Sequence, residues 1–219
     1  MMNISKAQVL LLGSAAIGLG IVLGTFLWLK LAPRHGYRFS DAQSFEGLSD
    51  FGPVPEFSLA ERNGKTVTLA ELRGKVWIAD FIYTSCTDTC PLQSAEMAKL
   101  QEQWSKQPDI ELVSFSVDPE RDTPQVLARY AEHFKADANR WLFLTGDKEQ
   151  ITRLIQEGFH LSATPALKSA AGEDVILHSP RFVLVDRAAQ IRAYYESRDA
   201  EALRRLNKDL MSLLSNRKE

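Results

Sequence analysis

From residue 55 onward the apolar positions of the chain switch repeatedly between strand-like and helix-like spacing. Val76-Trp77-Ile78-Ala79-Asp80-Phe81-Ile82-Tyr83 is a nearly continuous apolar run of strand length, which predicts a strand covered on both faces. Helical spacing follows from Pro91 to Trp104, with Pro91 suited to a first turn, where a missing N–H leaves no bond unmade. Ile110–Val117 predicts a second strand. Thr123-Pro124 predicts the opening of a helix that runs toward Phe134, with threonine as the cap and proline in the first position. Trp141–Leu144 predicts a short strand and Asp147–Glu157 another helix. Val175–Asp186 and Ile191–Glu196, on either side of Arg187-Ala188-Ala189-Gln190, predict a hairpin. Leu203, Leu206, Leu210, Leu213 and Leu214 then predict an amphipathic closing helix from Asp199. Upstream, Phe57-Ser58-Leu59 and Thr66–Leu69 around Asn63-Gly64 predict a small leading hairpin.

That order (strand, helix, strand, helix, antiparallel pair, closing helix) predicts an α/β, thioredoxin-like three-layer sandwich over residues 55–219. The front of the chain breaks the alternation. Ala7–Leu29 reads AQVLLLGSAAIGLGIVLGTFLWL, without a charge, between Lys6 and Lys30. As a helix it would span roughly 34 Å, enough for a hydrocarbon core of about 30 Å. A secretory signal has a shorter apolar region and a small-residue cleavage site, whereas here Lys30-Leu31-Ala32-Pro33 follows. The expectation is a six-residue tail (1–6), one retained N-terminal transmembrane helix (7–30) with Trp28 at the interface, and a tether (31–54) containing Gly36, Gly47, Gly52 and Pro53. Lys6 and the terminal amine before the span face Lys30, Arg34 and Arg38 after it, a count that leans toward a cytoplasmic C-terminal domain.

Composition narrows the function classes. A chain of 219 residues that is 45% apolar and 25% charged has ample material for a core. Its 26 basic side chains fall to 24, against 28 acidic ones, once Lys6 and Lys30 beside the span are set aside. Such a mildly acidic body gives no electrostatic footprint for nucleic acid or an anionic lipid surface. Two cysteines make neither a disulfide-stapled miniature nor a four-cysteine zinc module.

Those two cysteines fall where the first buried strand ends, in Tyr83-Thr84-Ser85-Cys86-Thr87-Asp88-Thr89-Cys90-Pro91. Cys86 is expected in the loop and Cys90 at the start of the helix, where unpaired N–H groups and the helix dipole favour a thiolate. Three intervening residues let both sulfurs point into one space, to form a disulfide or share a metal. Soft thiolates select Cu(I), and an imidazole would complete a three-coordinate site that also tolerates Cu(II). A structural disulfide or two small buried hydrophobes are the plainer alternatives. A zinc site would need a fourth protein ligand. Among the four histidines, His35 falls in the tether, His133 on a helix face and His160 in a loop. His178 lies in the strand-like Ile176-Leu177-His178-Ser179, where a histidine by itself is more often a satisfied core or edge residue than a ligand. Asp80, a carboxylate inside an apolar strand, must be paired or neutral. It reads equally as a hydrogen-bonded strand residue or as a proton carrier in disulfide exchange.

Three ordered motifs make the resemblance specific: Gly74-Lys75 through Tyr83-Thr84-x-Cys86-x-x-x-Cys90-Pro91, then Ser116-Val117-Asp118-Pro119-Glu120-Arg121-Asp122-Thr123-Pro124, then His178-Ser179. Together they resemble the Sco/SenC family of membrane-tethered, thioredoxin-like copper proteins. The resemblance implies that Cys86, Cys90 and His178 bind copper. It also implies that the domain faces the periplasm or the intermembrane space, and that it serves the dinuclear copper centre of cytochrome c oxidase subunit II. Thr87 stands where many members have proline, and Leu177 where many have an acidic residue before the histidine. Asp122 also matches a family position and reads as a turn or capping carboxylate rather than a ligand.

The expected function is therefore a copper metallochaperone rather than an enzyme, delivering copper to subunit II. The alternative is a membrane-tethered thiol–disulfide oxidoreductase in which Cys86 and Cys90 are a redox-active pair. The spacing argues against a general reductase, which usually has two intervening residues, and Tyr83 stands where a peroxiredoxin wants threonine. A copper or redox sensor is a third reading. Lack of an Arg/Ser-rich transit peptide points to a single pass in a bacterial inner membrane, and the periplasmic side is what the resemblance implies, against the lean of the flanking charges.

Overall fold

The computed structural model describes residues 48–161, 164–168, 174–177 and 180–215. The chain divides into two units, Met1–Gln43 and Ser44–Glu219. The expected anchor and most of the expected tether lie outside the described residues. Among the described residues, no helix is long and apolar enough to cross a membrane.

Strand β1 (Ser58–Glu61) pairs antiparallel with β2 (Thr66–Thr68) in the register Leu59↔Val67. Gly64 supplies the turn with a φ of +84°, which a side chain would strain. A single-turn helix α1 (Leu69–Leu72) follows. Its Thr68–Glu71 capping box comprises a Glu71 carboxylate that accepts from the Thr68 N–H at 2.7 Å. Strand β3 (Val76–Ile82) is buried along its whole length, Asp80 included, as its nearly continuous apolar run predicts.

Helix α2 (Thr89–Gln103), β4 (Ile110–Ser116), helix α3 (Pro124–His133) and β5 (Trp141–Thr145) come next. The Thr123 side chain accepts from the Val126 N–H, so the Thr-Pro opening of α3 is as expected. The helix foreseen over 147–157 is α4 (Lys148–Arg153), capped by Asp147 and continued as a π-helical turn, Leu154–Gly158. The chain then forms β6 (Thr164–Lys168), β7 (Asp174–Leu177), β8 (Arg181–Val185), β9 (Ile191–Glu196) and helix α5 (Ala200–Ser215).

Seven strands form one mixed sheet in the order β2-β1-β5-β4-β3-β8-β9. β3, β4 and β5 are parallel neighbours, and β8 runs antiparallel to β3. Side chains of alternate residues on β3 feed two cores, as the period of a strand requires. Trp77, Ala79 and Phe81 pack with Phe115, Phe159 and the apolar residues of α1, α4 and the π-helical turn. Val76, Ile78 and Ile82 pack with Cys90, Met97 and Leu100 of α2, Leu127 of α3, and Leu206, Leu210 and Leu213 of α5. Stacking of Phe81 on Phe115 at 5.6 Å and the edge contact of Phe81 with Phe159 at 5.0 Å each add roughly 0.5–1.5 kcal/mol beyond burial. Helices cover both faces of the sheet, the three-layer thioredoxin-like arrangement.

Two features depart from the sequence reading. The run Val175–Asp186 is not one strand: β7 pairs with β6 in a separate two-stranded sheet, and only β8 pairs with β9. Pro180 lies at the division, where the missing N–H and the restricted preceding residue oppose a continuous ladder. The second concerns the last residues of the stretch read as a tether. The N–H groups of Ser49 and Phe51 donate to the carbonyls of Arg192 and Ile191, Ile191 N–H donates to the Gly52 carbonyl, and Val54 is buried in the core. From Ser49 onward this backbone is therefore paired with the edge strand β9.

Candidate metal and thiol site

The parallel pairing of β3 with β4 brings the ends of both strands to one edge, together with the helices that follow them. The β3–α2 loop there carries Cys86, half-buried, and α2 carries Cys90, fully buried, both as thiols. Cys86 N–H donates to the Tyr83 carbonyl at 3.1 Å, closing a tight turn. Asp88 begins α2 without a side-chain cap bond, so Cys90 sits in the first turn and Pro91 one residue later. Cys90 N–H donates to Cys86 Sγ at 3.5 Å. The first sulfur is thus held at the first turn of a helix and receives a backbone donor there.

The second sulfur differs from the expectation. Burial pushes the Cys90 thiol up from its ordinary value, and the neighbouring Cys86 and Asp80 add to the effect against a backbone hydrogen bond involving Tyr83. Desolvation in a closed apolar core outweighs the helix terminus. Cys90 is therefore a neutral thiol that must lose its proton to bind a metal ion.

His178 lies outside the described residues. The chain on its far side is anchored close to the cysteine helix: Gln93, one turn beyond Cys90 and fully buried, donates from Nε2 to the Arg181 carbonyl at 3.3 Å. Among the described residues, no group of three His, Cys, Asp or Glu side chains is placed to hold a metal ion. His133 is exposed, as expected of a solvated helix face, and His160, read as a loop histidine, is exposed too; His35 lies outside the described residues.

Asp80 is completely buried on the face of β3 that meets α2. Ser114 Oγ, its register partner on β4, donates to Oδ1 at 2.5 Å, and Trp141 Nε1 donates to Ser114 Oγ at 2.8 Å. Oδ2 meets no hydrogen-bond partner. Burial pushes this carboxyl up to about 7, against the lowering effect of Ser114. Asp80 is thus hydrogen-bonded through one oxygen within the strand pair, and its other oxygen is unpartnered.

Asp122 has a role that the sequence reading missed. Its buried carboxylate caps no helix, since Thr123 does that for α3. Oδ1 accepts from Thr84 Oγ1 at 2.5 Å, Oδ2 accepts from Ser116 Oγ at 2.6 Å, and Thr84 N–H points at both oxygens, 3.2 and 3.3 Å away. The only sequence signal was the density of small hydroxyl residues at the ends of β3 and β4.

Comparison with known proteins places this arrangement in context. The family model described as SCO1/SenC matches residues 49–214. The SCO1 protein homolog of Bacillus subtilis is 34% identical over 168 residues, covering 76% of this chain and 81% of that protein. Among solved structures, BsSco, a member of the Sco family of cytochrome c oxidase assembly proteins with a disulfide switch, superimposes with a TM-score of 0.63. It shares 29% identity over 75% of this chain and 96% of its own. Bradyrhizobium japonicum ScoI with copper bound gives a TM-score of 0.59 at 26% identity, over 72% of this chain and 99% of that one.

Proposed function

The chain belongs to the SCO1/SenC family, and from that premise we propose that it is a copper metallochaperone whose Cys86, Cys90 and His178 hold copper as cargo. One observation carries the reading: the sulfur of Cys86 sits under the Cys90 N–H at the first turn of α2, so both cysteines belong to one compact turn. Two thiolates suit Cu(I), and an imidazole as third ligand also admits Cu(II). Release by ligand exchange needs an acceptor with competing soft ligands. The dinuclear centre of cytochrome c oxidase subunit II offers them, in keeping with the assembly role stated for BsSco and the copper held by the Bradyrhizobium relative. The apolar span 7–30 anchors the chain in a bacterial inner membrane, with the folded domain in the periplasm.

Purified reduced chain loaded with Cu(I) is expected to retain roughly one copper per chain. Cys86→Ala, Cys90→Ala and His178→Ala should each lose tight retention. Failure of the parent chain to hold copper, or full retention by the His178→Ala variant, would remove the three-ligand reading.

A second reading is supported by the buried Asp80 and by the disulfide switch described for BsSco. In it the same pair cycles between dithiol and disulfide and keeps a partner's cysteines reduced. The His178→Ala variant separates the two, because unchanged thiol reduction with lost copper would favour the oxidoreductase.

A further inference from the structure

The loop between β4 and α3 is closed by its own bonds. Asp118 N–H donates to Ser116 Oγ at 3.1 Å, Asp122 N–H donates to the Asp118 carbonyl at 2.9 Å, and Arg121 N–H donates to the same carbonyl at 3.1 Å. Thr123 then caps the helix. Val117 N–H donates to the Ile82 carbonyl at 2.8 Å, which ties the loop to the end of β3. None of these bonds uses the Asp122 side chain. That carboxylate instead accepts from donors on Thr84 and Ser116, and Thr84 lies two residues before Cys86.

A carboxylate can accept about four hydrogen bonds, and a buried one is stable only when donors converge on it. The Thr84 N–H and hydroxyl and the Ser116 hydroxyl supply such convergence. Their effect is to fix residue 84 against the end of β4, and the Cys86 N–H to Tyr83 carbonyl bond carries that constraint to the cysteine.

We propose that Asp122 is a positioning residue for the cysteine loop: through Thr84 it holds Cys86 where its sulfur receives the Cys90 N–H, and so favours the open dithiol over the disulfide. The metal arm of the argument rests on the copper reading above; the thiol arm does not. A donor to the sulfur stabilises the reduced pair, and loss of it favours oxidation, in which two thiols give up two protons and two electrons to a disulfide reagent as the S–S bond forms. Partners that orient metal ligands commonly change affinity about tenfold or more when removed.

The test compares Asp122→Asn, Thr84→Val and Thr84→Ser in the full chain. Asn keeps the shape but turns one acceptor into a donor. Val keeps the shape of Thr84 without its hydroxyl, and Ser restores that hydroxyl. The dithiol–disulfide equilibrium is measured in metal-free chain against dithiothreitol buffers, Cu(I) affinity by competition with a chelator, and stability by urea unfolding. Asp122→Asn and Thr84→Val are expected to shift the equilibrium about tenfold toward the disulfide, about 30 mV more negative, and to weaken Cu(I) binding about tenfold. Thr84→Ser should match the parent. An equilibrium unmoved in both disruptive variants overturns the proposal, whatever happens to stability, and so does failure of both to fold, which would make Asp122 purely structural. Where the parent chain holds no Cu(I), the copper reading falls while the equilibrium arm still decides the clamp.

Discussion

Replacement of Asp80 by asparagine tests whether the buried carboxyl titrates as its surroundings dictate. The group lies fully inside the core, one oxygen on Ser114 Oγ and the other without a partner, and burial pushes it from an ordinary 3.8 to about 7. The folded chain therefore keeps a proton that the unfolded chain has already released between pH 4 and 7. Wherever the folded state binds more protons, stability falls as pH rises, so the loss begins near the unfolded value and levels off above about 7. At about 1.4 kcal/mol for each pH unit, the gap amounts to about 4 kcal/mol. That is a large share of the stability of an ordinary domain, roughly 5–15 kcal/mol. The side-chain amide introduced by Asp80→Asn would accept from Ser114 as the acid does but cannot ionise. Urea unfolding of reduced, metal-free chain should show the parent losing, between pH 4 and 8, about 4 kcal/mol more than Asp80→Asn. The other carboxyls are common to both chains and cancel in the difference. Parallel stability curves over that range would refute the assignment.

Two further outcomes follow from the burial of Cys90 and of Gly158. Burial keeps Cys90 a neutral thiol, so under the proposed copper reading its proton must leave with each Cu(I) bound. Apparent Cu(I) affinity should therefore rise about tenfold per pH unit between pH 6 and 8 from this thiol alone, as read by chelator competition, and a flat profile would contradict it. At Gly158, a Cβ would lie 2.6 Å from Cδ and 2.9 Å from Cγ of Pro55, a rigid ring that cannot swing aside. Gly158→Ala is expected to cost about 1–3 kcal/mol, seen as a lower urea midpoint at unchanged slope with Cu(I) binding intact; an unmoved midpoint would show that the π-helical turn yields.

Most of the sheet was legible because its information is local. The nearly continuous apolar run over 76–83 and the Thr-Pro signal at 123–124 each fix an element within a few residues, and both occur as predicted. The β6–β7 pair was not legible. Its strands are short, the cue that Gly172 offers between them is weak, and nothing local divides β7 from β8 except Pro180. The pairing of residues 49–52 with β9 was hidden for a different reason: Gly52 and Pro53 read as linker composition whether or not an edge strand lies beside them. At the site, the cysteine pair was found by its position between strand and helix. The part played by Asp122 was not, because Thr84, Ser116 and Asp122 come from three segments, and a carboxylate before Thr-Pro carries the same pattern whether it caps or clamps.

The two cysteines are unequal, and the inequality follows from where each is mounted. Cys90 belongs to the first turn of a helix whose next turns, Gln93, Ser94 and Met97, are all buried against the sheet. It can move only if α2 moves. Cys86 stands on a loop, half-exposed, two residues after Thr84, whose N–H and hydroxyl are bonded to the Asp122 carboxylate. A ligand approaching from solvent meets the sulfur of Cys86 before that of Cys90. Under either proposed reading, exchange of a cargo ion or attack by a partner thiol would therefore start at the more exposed of the two sulfurs, and the buried one would keep its bond until the first has been replaced. A buried inner sulfur and a half-exposed outer one on a single turn of chain suit either proposed reading, which would have one sulfur hold and the other engage a partner first.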